Sequence, residues 1–255
     1  MTHIILHGCN GRMGRMIASL CDGETGMKIV AGVDMAGSEP VVSPFFSKLA
    51  DCDVPADVLI DFSNASAADN VMDYCAARKL PLVMCTTGLD ETRIRRLEDL
   101  SGEIPVLRSA NMSIGVNVLL DILKEAAPKL FAAGFDIEIE EKHHAAKVDA
   151  PSGTAYALSE EIEKAVLEKT GKELTRVYDR SDVRKPRDRH EIGISAIRGG
   201  TIVGDHDVIF AGTDEVITLS HRAYSRAIFA KGALAAAAYL SGKPAGLYTM
   251  RDVLS

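Results

Sequence analysis

The chain has 255 residues, which at roughly 150 residues per domain reads as two domains. It carries 29 Lys and Arg against 36 Asp and Glu, a net charge of −7 with no basic tail, which argues against general nucleic-acid binding. Apolar residues make up 47% and charged residues 25%, values that exclude disorder, collagen and coiled coil, and no apolar run is long enough to span a bilayer.

From the N-terminus, short apolar runs alternate with helical patterns. Strands are predicted at His3–His7, Lys28–Val33, Asp57–Phe62, Pro81–Cys85 and Ile104–Arg108, with helices at Arg12–Cys21, Ser66–Arg78 and Glu91–Leu100. Continuous apolar strands belong to a parallel sheet covered on both faces. The middle of the chain differs. A long helix is predicted at Val116–Leu130. Phe135–Glu141 then alternates, with Phe135, Ile137 and Ile139 against Asp136, Glu138 and Glu140, as in a strand with one wet face. A helix at Thr154–Glu168 and strands at Glu191–Ile197, Asp207–Phe210 and Glu215–Ser220 follow, an α+β half with one open mixed sheet. An Ala-rich helix, Arg226–Leu240, has the small side chains to dock closely on another layer. The polar stretch Arg176–His190 reads as a solvated loop, or else as a flexible cover bringing positive charge to an anionic ligand.

The N-terminus lacks a basic region followed by a long apolar stretch, so a cytoplasmic chain is expected. The five cysteines, Cys9, Cys21, Cys52, Cys75 and Cys85, are odd in number and form no CxxC pair. They read as reduced, mostly buried thiols rather than disulfides or zinc ligands.

The first strand runs into Gly8-Cys9-Asn10-Gly11-Arg12-Met13-Gly14. A strand, a glycine turn and a helix start form a pyrophosphate site, because glycine lets the backbone approach and the free N–H groups face the anion. Gly11 and Gly14 fit the second and third glycines of G-x-G-x-x-G, with Cys9 in place of the first. Asp34 closes the second strand about 20 residues after Gly14, where a carboxylate accepts from ribose hydroxyls and repels a 2′-phosphate. Met35 adds no cation, so NADH is the expected cofactor, with NADPH possible through Arg12 or Arg15. Thr86-Thr87-Gly88 and Ser109-Ala110-Asn111-Met112 follow the next strand ends, where backbone groups of an open α/β sheet meet ligands.

The second half holds Glu141-Lys142-His143-His144, then Lys147, Asp149 and Pro151-Ser152-Gly153-Thr154. Strand parity puts His143 on the covered face with Ile137 and Ile139, and Lys142 and His144 on the other. Two histidines and a lysine make an anion site with proton donors, and Ser152-Gly153-Thr154 offers a hydroxyl and helix N-terminal N–H groups to a carboxylate or phosphate. Metal binding is disfavoured, because adjacent strand histidines face opposite ways and no third ligand stands at helical spacing.

These residues, with Arg198-Gly199-Gly200, Ile202-Val203-Gly204-Asp205-His206, Ser225-Arg226 and the ending Met250-Arg251-Asp252-Val253-Leu254, resemble the 4-hydroxy-tetrahydrodipicolinate (dihydrodipicolinate) reductase family of lysine and diaminopimelate biosynthesis. The resemblance implies an α/β fold: a Rossmann-type dinucleotide-binding domain of residues 1–113 and 226–255, and an α+β substrate-binding domain of residues 114–225 that builds a homotetramer through its sheet. His143 and Lys147 match the family's proton-transferring residues. His144, Ser152, Gly153 and Thr154 stand at the substrate contacts. Gly8, Cys9, Asn10, Gly11, Arg12, Met13, Asp34, Cys85, Thr86, Thr87, Ser109, Ala110, Asn111 and Met112 stand at the cofactor contacts. Cys85 departs from a common glycine and Met112 from a frequent aromatic residue. A reductase of another small dicarboxylate, or a nicotinamide-binding regulator without turnover, are the rival readings.

Overall fold

Parallel strands that must bury both faces account for the N-terminal architecture. The computed structural model describes residues 1–21, 26–35, 40–109 and 111–255. In chain order it shows β1 (Thr2–His7), α1 (Arg12–Cys21), β2 (Met27–Val33), β3 (Phe45–Phe46), β4 (Val58–Asp61), α2 (Ala68–Arg78), β5 (Leu82–Met84), α3 (Glu91–Ser101) and β6 (Pro105–Arg108). Then come α4 (Ile114–Ala132), β7 (Asp136–His143), α5 (Gly153–Thr170), β8 (Thr175–Val177), β9 (Glu191–Arg198), β10 (Gly204–Ala211) and β11 (Val216–Ala223). α6 (Ala227–Leu240), β12 (Gly246–Tyr248) and α7 (Met250–Leu254) close the chain. The chain divides into two compact units, Met1–Ile114 with Arg226–Ser255, and Gly115–Ser225.

In the first unit seven strands lie in the order β3-β2-β1-β4-β5-β6-β12, with every pairing parallel. Ile4, Leu6, Ile60, Val83 and Leu107 face one apolar layer, and Ile5, Leu59, Leu82 and Val106 face another. Burial on both sides is why the sequence shows runs rather than alternation. α6 joins the first layer through Ala230, Ala233, Ala236, Ala237 and Leu240. It comes so close that a Cβ on Gly232 would stand 1.7 Å from the Met112 carbonyl oxygen. The strands β3, β8 and β12, each two or three residues long, carry no periodic signal of their own and are not among the predicted strands.

The second unit is a mixed sheet, β11-β10-β7-β9-β8. β7 pairs antiparallel with β10 and parallel with β9. One face packs on α4 and α5 through Leu123, Phe131, Ile137, Ile139, Leu158, Ile162, Ile194, Val208 and Phe210. Burial alternates along β7 and puts Glu141 and His143 on this covered face.

Most of the segment after α5 is exposed, as read for a solvated loop, but its arginines are tied to the protein rather than to solvent. Arg180 forks onto Glu138 at 2.9 and 3.1 Å. Arg187 donates to Glu138 at 3.1 Å and pairs with Asp136. A Cβ on Gly193 would collide with the Glu138 carboxylate, so this glycine makes room for the pair. Residues 176–190 are therefore tied by arginines to the acidic side of β7, and the face read as wet is partly covered. Two of its cations are spent on carboxylates of the protein's own sheet.

Candidate active site

The glycine turn is built as the sequence requires. Gly8 sits at φ +80, and a Cβ there would stand 2.4 Å from the Phe62 carbonyl oxygen. On Gly14 a Cβ would meet the Gly8 carbonyl oxygen at 2.2 Å, so only glycine lets α1 start this close to the strand end. Gly11 and Arg12 are exposed, Asn10 and Met13 half-buried. The Asn10 N–H donates to Asp34 at 2.8 Å, and the Met35 N–H to the other Asp34 oxygen at 2.8 Å. Each carboxylate oxygen keeps a second lone pair, so Asp34 can still accept from a ribose. Cys9 is fully buried, and burial followed by the Asp34 charge pushes its thiol up to about 11. Its side chain is therefore closed off, and only its backbone could meet a ligand.

The other strand ends of this unit gather on Asp61, which the sequence did not single out. Its buried carboxylate accepts from Thr86 at 2.6 Å and Ser63 at 2.7 Å, and meets His7 Nδ1 at 2.6 Å. Thr86 is thus fixed from beneath, while Thr87 is exposed. Cys85 and Met112 are buried, and burial drives the Cys85 thiol well up, so their side chains belong to the core. The Ser109 hydroxyl donates to the Asn111 carbonyl at 2.9 Å, and the Asn111 side chain accepts from the Ser113 N–H. Ala110 lies outside the described residues. A cavity of about 580 Å³ beside Asp34 is lined by His7, Met35, Lys48, Asn70 and Tyr74 among others. Lys48 is a cation there that spacing could not reveal. The glycine cradle, the helix start, the acid and the cavity fit a nicotinamide dinucleotide.

In the second unit, Glu141 is fully buried at the end of β7. It meets His143 Nδ1 at 2.5 Å, accepts from Arg198 at 2.7 and 2.9 Å, and takes the Ser152 N–H at 3.0 Å. Burial opposes its charge, but the bonds from His143 and Arg198 prevail and hold the carboxyl at about 2. Ser152 caps α5 by accepting the Ala155 N–H, and its hydroxyl lies 3.1 Å from His206 Nε2. Gly153 is exposed and Thr154 half-buried at the same helix start. Burial, reinforced by the neighbouring His143, lowers His206 to about 3, so it is neutral at pH 7. Lys147 is half-buried and salt-bridged to Asp149 at 2.8 Å, and His144 is half-buried just past the strand.

His143, Lys147 and Ser152 are thus brought into one neighbourhood, which Glu141, Arg198 and His206 support from three strands. Glu141, His143 and His206 place a carboxylate oxygen and two ring nitrogens within 4.8 Å of one another. The third group, absent from local spacing, arrives from β10. The donor set does not fit a cation: Glu141 is engaged by a guanidinium, an N–H and an imidazole, so a metal would face Arg198 at the same oxygens.

A parallel sheet in Rossmann order, a glycine turn at a helix start and an acid closing β2 define a nicotinamide-dependent oxidoreductase. Residues 2–112 match the family described as dihydrodipicolinate reductase, N-terminus, and residues 115–254 its C-terminus. The chain belongs to the dihydrodipicolinate reductase family. A relative from Caldanaerobacter subterraneus subsp. tengcongensis, named 4-hydroxy-tetrahydrodipicolinate reductase, is 50% identical over 254 residues, covering 100% of this chain and 98% of that protein. One of the same name from Clostridium novyi is 47% identical over 256 residues, with 100% and 98% covered. In fold the chain is similar to a dipicolinate-bound dihydrodipicolinate reductase from Paenisporosarcina sp. TG-14, with a TM-score of 0.79, 21% identity and 100% of both chains covered. It is also similar in fold to an amine dehydrogenase from Mycobacterium smegmatis, with a TM-score of 0.63, 10% identity, and 98% and 95% covered. Among the described residues no helix is long and apolar enough to cross a membrane.

Proposed function

We propose that this protein reduces 4-hydroxy-tetrahydrodipicolinate, through its dehydrated form dihydrodipicolinate, to tetrahydrodipicolinate in lysine and diaminopimelate biosynthesis. The observation that carries the reading is the buried His143, held by Glu141, beside Lys147 and the Ser152-capped start of α5. A dicarboxylate needs donors and compensating charge, and this neighbourhood offers the Lys147 ammonium and the N–H groups at the start of α5.

Gly8 to Met13, Asp34, Thr86 and Thr87, and the backbone of Cys85 and of 109–112, would hold a nicotinamide dinucleotide. When bound and reduced, that group supplies the hydride equivalent. The Lys147 ammonium gives the proton that the reduced ring must take, and His143 can give it in place of Lys147 only once its Nε2 has itself taken up a proton. The Ser152 hydroxyl, the N–H groups of Gly153 and Thr154, and His144 hold a carboxylate. Such positioning and charge stabilisation supply most of a rate enhancement of this kind.

NADH is the preferred cofactor and NADPH is accepted, on the strength of Asp34, the uncharged Met35 and the nearby Lys48. The chain works in the cytoplasm as a homotetramer built through the second unit's sheet. Exposed Ile197, Val216 and Ile217 on that sheet support an assembly face.

The test is an assay with freshly prepared 4-hydroxy-tetrahydrodipicolinate, following loss of reduced-nicotinamide absorbance. Oxidation of NADH only when that substrate is present is the expected result. NADH binding without oxidation would favour a regulatory role and overturn the reading.

A further inference from the structure

We infer that Glu141 is the positioning residue of His143, holding the imidazole with its proton on Nδ1 and presenting Nε2 for proton exchange. The inference rests on the reading of His143 as the proton-exchanging group. Its geometric part stands independently of that reading.

A carboxylate removed from water is costly unless its lone pairs are filled. Glu141 is fully buried, and Arg198 with the Ser152 N–H would be enough to satisfy it. His143 Nδ1 nevertheless lies 2.5 Å from one of its oxygens. An ionised carboxylate only accepts, so the proton in that bond belongs to Nδ1, and the neutral ring has its lone pair on Nε2. Among the described residues Nε2 has no hydrogen-bond partner. It faces Gly204, where a Cβ would stand 3.0 Å from it. The rest of the ring is fixed edge-on to His206, with ring centroids 5.1 Å apart.

The clamp is anchored from several sides. Arg198 holds both Glu141 oxygens and also donates to the Asp149 carbonyl at 2.6 Å, so one guanidinium joins the end of β9, the carboxylate and the turn that carries Lys147. The charged and titratable groups around His143 are Glu141 on its own strand, Arg198 on β9, His206 on β10, and Lys147 and Asp149 in the turn. His206 is uncharged at neutral pH, so Glu141 is the anion in direct contact with the ring. A buried carboxylate behind an imidazole does two things: it selects the tautomer, and it stabilises the protonated ring formed during transfer.

The test is nitrogen-15 NMR of the histidine rings in the intact protein, with the signal of His143 among seven histidines assigned by its loss in His143→Gln. The expected result is the Nδ1–H tautomer in the wild type at neutral pH. In Glu141→Gln, mixed tautomers and a fall in kcat of roughly 10²- to 10⁴-fold are expected, with KM for NADH little changed. An Nε2–H tautomer in the wild type, or an unchanged tautomer in Glu141→Gln, overturns the inference. The wild-type tautomer decides even if that variant does not fold. If the tautomer is lost while turnover stays normal, the clamp stands and the reading of His143 as the reacting group falls.

Discussion

The Asn10 backbone N–H donates to the Asp34 carboxylate at 2.8 Å, so the acid that closes β2 is hydrogen-bonded into the glycine turn on β1. That one bond joins the glycine turn to the carboxylate, the two groups proposed above to meet a pyrophosphate and an adenosine ribose. In the proposed cofactor site the Asp34 charge would repel a 2′-phosphate, Met35 would not offset it, and Lys48 lines the same cavity.

Cofactor preference should follow that balance. Met35→Arg is expected to tighten NADPH binding by about tenfold, roughly 1.4 kcal/mol, with NADH little changed. Lys48→Ala should weaken NADPH several-fold and leave NADH alone. Calorimetric titration of the protein with each dinucleotide reads both. A wild type that strongly prefers NADPH would mean that Asp34 does not act as assigned.

His143→Gln and Lys147→Met should each cut turnover by roughly 10²- to 10⁴-fold. NADH affinity should be nearly kept, since neither side chain belongs to the unit with the glycine turn. Losing the Lys147–Asp149 pair costs little stability, because Asp149 is 59% exposed. Steady-state kinetics beside NADH titrations separate the two effects. Near-normal turnover in both variants removes them from the chemistry.

The N-terminal sheet was readable because strands buried on both faces leave continuous apolar runs, and α1 was readable to the residue. His143 was visible through strand parity. Its supports were not, because they depend on register between distant strands. The pairing of β7 with β9 sets His143 opposite Arg198, and that of β7 with β10 sets Glu141 opposite His206. No local spacing encodes either. The anchoring of segment 176–190 went unread for the same reason: the partners of Arg180 and Arg187 lie about 40 to 50 residues upstream on β7. Asp61 passed unnoticed as the last residue of an apolar strand.

Gly204→Ala tests how little space the ring has. The added Cβ would stand 3.0 Å from His143 Nε2. The imidazole cannot easily yield, since Glu141 holds Nδ1 and His206 packs against the ring. A destabilisation of about 1–3 kcal/mol is expected, with at least a tenfold loss of kcat. Urea unfolding and kinetics measure the two. Unchanged kcat would show that the ring has another place to go.

Acid should loosen the second unit through His206 before it reaches the carboxylates. The ring is nearly fully buried, and its pKa is about 3 in the folded chain against 6.5 when unfolded. Above pH 6.5 neither state binds the proton, and His206 makes stability independent of pH. Below it the unfolded chain takes a proton that the folded chain refuses, so stability falls as pH drops from 6.5 towards 3, by up to about 1.4 kcal/mol per pH unit. Glu141, at about 2 when folded against 4.5, adds a second loss below pH 4.5. His221, also lowered by burial, contributes in the same direction as His206. His206→Asn keeps a polar partner for the Ser152 hydroxyl and has no proton to gain. Its unfolding free energy, followed by far-ultraviolet circular dichroism in urea between pH 5 and 7, should fall less steeply with acid than that of the wild type. Parallel slopes for the two proteins would mean that His206 takes up its proton inside the fold.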